Sequence, residues 1–553
     1  MNKRYLDLME KTLTAYSDEH INEYFGRVRS QGLTEHGFPR LTANIGILIA
    51  YGRRNDLLPI FLEMMDFCCE QIPKTRAANN FSVKEILLAI DAISKSCKVS
   101  AERIEKWRAN MQSIVPEDVY EFVAKLPTDN VHNWACFAAV SEQVRSFYGL
   151  GNRDDFIDLQ ISTQVLLLDS NGMYRDPNEP MVYDLVTRGL FTQLLKYGYK
   201  GKYRAEIDDA VRRAGLLTLE MQSSTGELAF GGRSNAFLHN EAHLAIIFEY
   251  EAARYIKEGN LPLARKFKAA ASRALANIEL WLSEEPIRHI KNRFPLDSCY
   301  GCEGYAYFDK YMITLASFLY VASLSCDDSI DYSDDDGVHF ALFETSEHFH
   351  KVFMRDGDYF LEFDTNADYH YDSNGLGRVN KKDAPSAICI SLPCTEEPNY
   401  TIDGKSANIS ISVGIPDGDG YIFSAEKSVG NKFLAFPDEN KAWAKFEYDY
   451  PDGNKAYAEY KICGDFVEIK CTSQKRVALM LPALTFDGQN RTKLALDGKN
   501  LSVEYMGWIC EYISTEDILE TEKIGRNRNG YYKAYYTEGE DELTVKINIR
   551  RKD

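Results

Sequence analysis

Residues 223–243, SSTGELAFGGRSNAFLHNEAH, gather Arg233, Asn235, His239, Asn240, Glu241 and His243 around and after a paired glycine turn at Gly231 and Gly232. These side chains suit anion binding and proton transfer. An arginine beside an asparagine clamps a carboxylate, and an imidazole exchanges protons near neutral pH. Glycine lets the backbone reverse tightly, so the helix start that follows can aim its polar residues at one place. TDNVHNW at 128–134, GMYRDPNEPMVYDLVTRG at 172–189 and PLDSCYGCEGYAY at 295–307 have the same character. That repetition points to one composite site rather than four hydrophilic loops that merely cap ordinary helices.

The elements between these loops repeat apolar residues at helical spacing, as in LTANIGILIAYG (41–52), VKEILLAIDAISKSC (83–97), NWACFAAVSEQVRSFYGL (133–150), EAHLAIIFEYEAARYI (241–256) and YFDKYMITLASFLYVASL (307–324). About a dozen helices with short connections cannot share one bundle layer, so they are expected to pair into hairpins around a ring. This predicts an α/α toroid, an incomplete barrel of helical hairpins, over residues 1–330. An acidic linker follows at 331–337. Over 338–553 the period becomes two, in stretches such as HFALFE, SAICISL, FVEIKCTS and LTVKINIRR, which predicts a large antiparallel β-sandwich.

Composition narrows the function. A net charge of −19 over 553 residues argues against nucleic acid and anionic membranes as partners, while leaving an acidic small substrate open. No run approaches the ~18 apolar residues of a membrane span. The N-terminal stretch MNKRYLDLMEKTLTAYSDEHINEYF is amphipathic and acidic from the start, so a cytoplasmic location is expected. The twelve scattered cysteines fit reduced core thiols, and Cys299-Tyr-Gly-Cys302 lacks the second pair of a zinc site. His239 and His243 share a helix face but lack a third ligand. No cofactor is therefore expected. A divalent metal, structural or catalytic, would need a ligand that the sequence does not identify, and the oligomeric state is left open.

A helical toroid followed by an antiparallel β domain resembles the polysaccharide lyases of the heparinase II/III, hyaluronate and chondroitin AC, and alginate lyase families. Asn133-Trp134 resembles the pair with which the hyaluronate lyase group begins its cleft. Gly172-Met173-Tyr174, followed by Met181-Val182-Tyr183-Asp184, resembles the stretch that carries the catalytic tyrosine, which implies Tyr183. Gly232-Arg233-Ser234-Asn235 resembles the segment whose arginine lies beside the cleaved bond. DYFLEFDTNADYHYDSNGLGRVNKKDAPS (358–386) looks like the start of the β domain in heparinase-like lyases. The histidine that these lyases usually carry just before the tyrosine is replaced here by Asp176, Asn178 and Glu179, which leaves His132 or His239 to supply an imidazole.

The chemistry that the resemblance implies is elimination across C4 and C5 of a uronic acid in an acidic oligosaccharide. It requires neutralising a carboxylate, stabilising an enolate, removing the C5 proton and protonating the leaving O4. Asn133, Arg188, Arg233 and Asn235 are candidates for the first task; Tyr183, His132, His239, Tyr300 and Tyr305 are candidates for proton transfer. Trp134 suits sugar stacking, and Glu241 suits either substrate binding or an internal ion pair with Arg188. A polar, glycine-rich loop at 369–382 is expected to leave the sheet and bring Arg378 or Asn380 to the substrate. Two other functions compete. An inverting glycoside hydrolase of the toroid type would need two carboxylates about 6.5–9.5 Å apart, from Asp184, Glu241, Asp297 and Glu303. A non-catalytic carbohydrate-binding protein would need the aromatic residues alone.

Overall fold

The computed structural model describes residues 2–552. Among them, fourteen α-helices run from Lys3–Leu13 to Phe308–Ser323, and seventeen strands follow from Phe340–Glu344 to Glu542–Arg551. Six helices form an inner ring: Gly37–Ala50, Asn79–Ser94, Asn133–Phe147, Met181–Lys196, Asn240–Lys257 and Phe308–Ser323. Each packs on the next, and the ring closes where Phe308–Ser323 packs on Gly37–Ala50. The toroid is thus closed through its inner helices.

Sequence separates the inner helices from the outer ones. Gly37–Ala50 is buried at every position from Gly37 to Ile49, as expected for a helix covered on all sides. Outer Ala101–Gln112 buries Ile104, Trp107 and Met111, a single stripe at helical spacing. The inner helices approach their neighbours closely where a side chain is missing. A Cβ built on Gly46 would lie 2.4 Å from the Phe61 ring of the helix Leu58–Gln71.

The strands form sheets of four, eight and five members, and every paired strand is antiparallel. The larger two enclose one apolar core, with Tyr460 and Val545 contributed by one sheet and Leu479 and Tyr532 by the other. The four-stranded sheet lies against the helices, where Phe349, Phe353 and Phe360 pack with Met173, Met181 and Met221. The stretch SAICISL, expected as a strand, instead forms a short 3₁₀ turn at Ser386–Ile388 and then irregular backbone.

The larger correction concerns 369–382. Gly375–Lys381 is a strand paired with Tyr359–Asp364, not a loop that leaves the sheet. Its glycine content has a packing cause. Gly377 is the extra residue where the register shifts, and a Cβ there would lie 2.5 Å from both Phe230 and Pro393. Among the described residues, no helix is long and apolar enough to cross a membrane.

Candidate active site

All six inner helices start at one end of the ring, and residues at those starts line a cleft of about 420 Å³. Glu35 and His36 precede one helix and Ala78 precedes another. His132 and Asn133, Val182 and Tyr183, His239, and Lys310 and Tyr311 mark the starts of the other four. Each helix start carries about half a positive charge from its unpaired N–H groups, so the cleft floor favours an anion before any side chain is counted. Three imidazoles, His36, His132 and His239, occupy N-cap positions around this floor.

At the centre are Tyr183 and Arg233. The backbone reverses at Gly231 and Gly232, and Gly232 is tight: at φ +76° a Cβ would lie 2.7 Å from Pro180 Cβ. This turn brings the Arg233 guanidinium to 4.4 Å from the centre of the Tyr183 ring. Arg233 is fixed by Asp176, which also accepts from Asn133 Nδ2 at 3.0 Å. Ser234, in the left-handed region at φ 61°, links two phenols: its Oγ is 3.2 Å from Tyr183 Oη and 2.9 Å from Tyr305 Oη. Its own N–H donates to Glu303 at 2.5 Å, and Glu303 is held at 2.6 Å by Arg528 of the β part. Gly232 N–H likewise donates to Asp372 at 2.8 Å. The β part therefore braces the loop that carries Arg233 and Ser234 without lining the cleft itself.

The electrostatics divide the proton-transfer candidates. Burial pushes His239 down to about 3, helped by Arg40, His289 and Lys291, and burial also holds His36 and His243 well below the usual imidazole range. Such imidazoles stay neutral and accept protons weakly at neutral pH. The Tyr305 ring is partly exposed in the cleft, but desolvation of its hydroxyl end, with Tyr183 and Glu303 nearby, raises it above the ordinary phenol value and keeps it protonated. Half-buried Lys310 sits over the Tyr307 ring at 4.5 Å and, among the described residues, pairs with no carboxylate.

The structure brings His132, Asn133, Trp134, Tyr183, Arg233, His239 and Tyr305 to this cleft. Trp134 is 37% exposed and packs on Phe122 with ring centres 3.7 Å apart. The other five candidates lie elsewhere, each held by protein partners. Arg188 is buried against Asp184 at 2.5 Å, and Glu241 against Lys291 at 2.7 Å, so the two do not pair with each other. Asn235 Oδ1 accepts from Ala236 N–H, and Tyr300 is stacked on Phe294 with centres 3.5 Å apart. Arg378 is buried in its strand, 3.1 Å from Glu362 and donating to Leu228 O at 2.8 Å. Of the four hydrolase carboxylates, Asp184, Glu241 and Glu303 are buried in ion pairs, Asp297 is exposed, and none lines the cleft.

Asp176, Ser234, Lys310 and Tyr311 join the site without having been singled out as site residues. Asp176 had a signal, since it stands where a histidine was expected.

No protein-family model matches the chain, and no curated protein matches its sequence. Similar solved structures include a heparan sulfate lyase HepC mutant from Pedobacter heparinus, with a TM-score of 0.50 and 8% identity over 94% of this chain and 76% of that one. A chondroitin AC lyase of Streptomyces coelicolor A3 in complex with chondroitin sulphate gives 0.49 and 12%, covering 99% and 83% of the two chains. A heparinase III gives 0.49 and 9%, covering 93% and 78%. At such identities the likeness to the first establishes the fold alone: a helical toroid followed by antiparallel sheets, the fold of a polysaccharide lyase.

Proposed function

We propose that the chain is a lyase that cleaves acidic, uronate-containing oligosaccharides by β-elimination. The observation that carries this reading is the Arg233–Tyr183–Ser234–Tyr305 cluster, set where six helix starts converge. The uronate carboxylate binds over the helix starts, with Lys310 as its unpaired cation and Asn133 as a neutral donor. Tyr183, beside the Arg233 charge, takes the C5 proton as a phenolate. The electron pair left on C5 forms the C4–C5 double bond, and the C4–O4 bond breaks. The leaving O4 takes a proton from Tyr305, which burial keeps protonated, and Ser234 lets Tyr183 and Tyr305 exchange that proton afterwards.

A carboxylate-pair hydrolysis has less support, because the cleft carboxylates already have partners. Asp176 accepts from Asn133 and Arg233, and Glu35 accepts from Tyr24 Oη and the Gly37 N–H. The test is to incubate the purified chain with a panel of uronate oligosaccharides while following both ultraviolet absorbance and reducing ends. A lyase raises both together. New reducing ends without absorbance would replace this reading with hydrolysis, and neither signal would leave a binding protein.

A further inference from the structure

A second cavity, of about 680 Å³, opens between the helical part and the β part and shares no lining residue with the cleft. Four arginines line it: Arg293, paired with Glu284 and Asp487, Arg551, exposed beside the Trp508 ring, and the two that matter here, Arg273 on the helix Leu261–Leu282 and Arg355 on the strand Lys351–Asp356. Neither of these two forms an ion pair among the described residues. Arg355 is 5% exposed and meets neutral acceptors, the carbonyl of Gln222 and, at 3.5 Å, Ser224 Oγ; its Nε has no partner. Half-buried Arg273 has no hydrogen-bond partner for its Nε. Asp334 attracts it through space without reaching ion-pair distance, and the two arginines repel each other, which adds to burial in lowering Arg355 to about 9. Lys382 adds an exposed cation at the rim, beside Asp358 and Asp383.

Buried cations in folded proteins are normally paired, and leaving buried Arg355 unpaired beside half-buried Arg273 costs stability that an anion between them would restore. The arrangement is unusual in a chain of net charge −19. The cavity is much larger than a single inorganic anion, and its size falls in the range of sites for organic ligands. Its remaining walls suit a sugar: Trp281 and Trp508 line it with indoles, each carrying a guanidinium over its ring, Arg293 at 5.0 Å and Arg551 at 5.2 Å, and Asn277 offers an amide.

We propose that this cavity is a second, non-catalytic binding site for an anionic saccharide, whose acid group bridges Arg273 and Arg355 while a sugar ring rests against an indole. Its charge pattern stands whether or not the cleft performs an elimination.

The experiment is calorimetric titration of the full chain carrying Tyr183→Phe, with a hexuronate tetrasaccharide as the probe. Neutral maltotetraose and sodium sulfate serve as comparison probes. Two classes of site are expected, and adding Arg273→Gln should weaken one of them ~10–100-fold, the loss of a charge-assisted contact. Arg273→Gln alone should keep the wild-type turnover and melt no earlier than wild type, because it removes a charge that has no partner. Trp508→Ala, also in the cavity wall, should weaken the same class and repeats the test if the arginine variant folds poorly. If the cleft reading fails, a single class remains, and Arg273→Gln weakens it. Unchanged binding in both variants would overturn the proposal, as would equal affinity for maltotetraose. Sulfate binding as tightly as the saccharide would overturn the saccharide assignment.

Discussion

Arg233 and Arg378 begin alike and end in opposite surroundings. Each lies over an aromatic ring, Tyr183 at 4.4 Å or Phe230 at 5.6 Å, and each is beside a carboxylate, Asp176 or Glu362. The Arg233 side chain remains 22% exposed and faces the cleft, whereas that of Arg378 is 3% exposed and also donates to two carbonyls. Residue type and nearest partner therefore do not separate a cleft-lining arginine from a buried one. What separates them is the bonding capacity left over once the protein's own partners are counted, and whether that capacity faces open space.

The comparison breaks first at Tyr183. Tyr183→Phe should lower turnover by ~10²–10⁴-fold, the usual cost of losing a proton-transfer group, with the melting temperature little changed because the hydroxyl makes one long hydrogen bond, 3.2 Å to Ser234 Oγ. Steady-state kinetics beside a thermal melt on the same preparation reads both. Near-wild-type turnover would remove Tyr183 from the mechanism.

On the structural side, Arg378→Met should do the reverse. It leaves Glu362 buried without its nearest cation, which costs up to about 3–5 kcal/mol of stability above pH 7, where that carboxyl is ionised, and less below it, where a proton replaces the lost charge. Measured well below the lowered melting point, KM and kcat should match wild type, because no residue of the β part lines the cleft. A raised KM with intact stability would return Arg378 to the substrate.

The same distinction explains how far the sequence could be read. Helix and strand periods were legible because burial on one face, or on all faces, writes directly into residue order. Tyr183, Asn133, Arg233 and His239 were legible because polar residues cluster just ahead of apolar helices. Arg188 and Glu241 lie in stretches of the same composition, but they are buried against Asp184 and Lys291, away from the cleft, and pairing is a three-dimensional fact. Lys310 and Tyr311 were hidden inside FDKYMITL, whose helical period masks the first turn that faces the cleft. Gly377 read as loop chemistry because the Phe230 ring that requires it is more than a hundred residues away in the chain.

Lys310 sharpens the comparison from the cleft side, as a cation with capacity to spare. Lys310→Met should raise KM for a uronate substrate by ~10–100-fold, the loss of one charge-assisted contact, with a smaller change in kcat. The methionine keeps an unbranched side chain of similar length and removes the charge that lies over the Tyr307 ring. An unchanged KM would mean that the helix starts and Asn133 hold the carboxylate without it.

The smallest expected effect is in the seam itself. Glu362 stands 3.1 Å from Arg378 and 4.0 Å from Lys351, yet neither carboxylate oxygen has hydrogen-bond geometry to a partner, so burial outweighs both cations and raises it to about 7. Asp372 is raised to about 6 for the same reason. A carboxyl raised in this way binds its proton more tightly in the folded chain than in the unfolded one. Its contribution to stability therefore falls as pH rises from the unfolded value of 4.5 through the folded value near 7, and is level above that. His239 and His289, lowered to about 3 and about 4, act in the opposite direction: stability falls as pH drops below 6.5. The wild-type profile is a sum of the two, so the informative quantity is a difference. Glu362→Gln removes the falling component alone. Whatever its offset, the variant's stability relative to wild type should climb by on the order of 1–3 kcal/mol between about pH 5 and 8, as chemical denaturation at several pH values would show. A difference that stays flat across that range would mean that the Arg378 and Lys351 charges keep Glu362 ionised throughout.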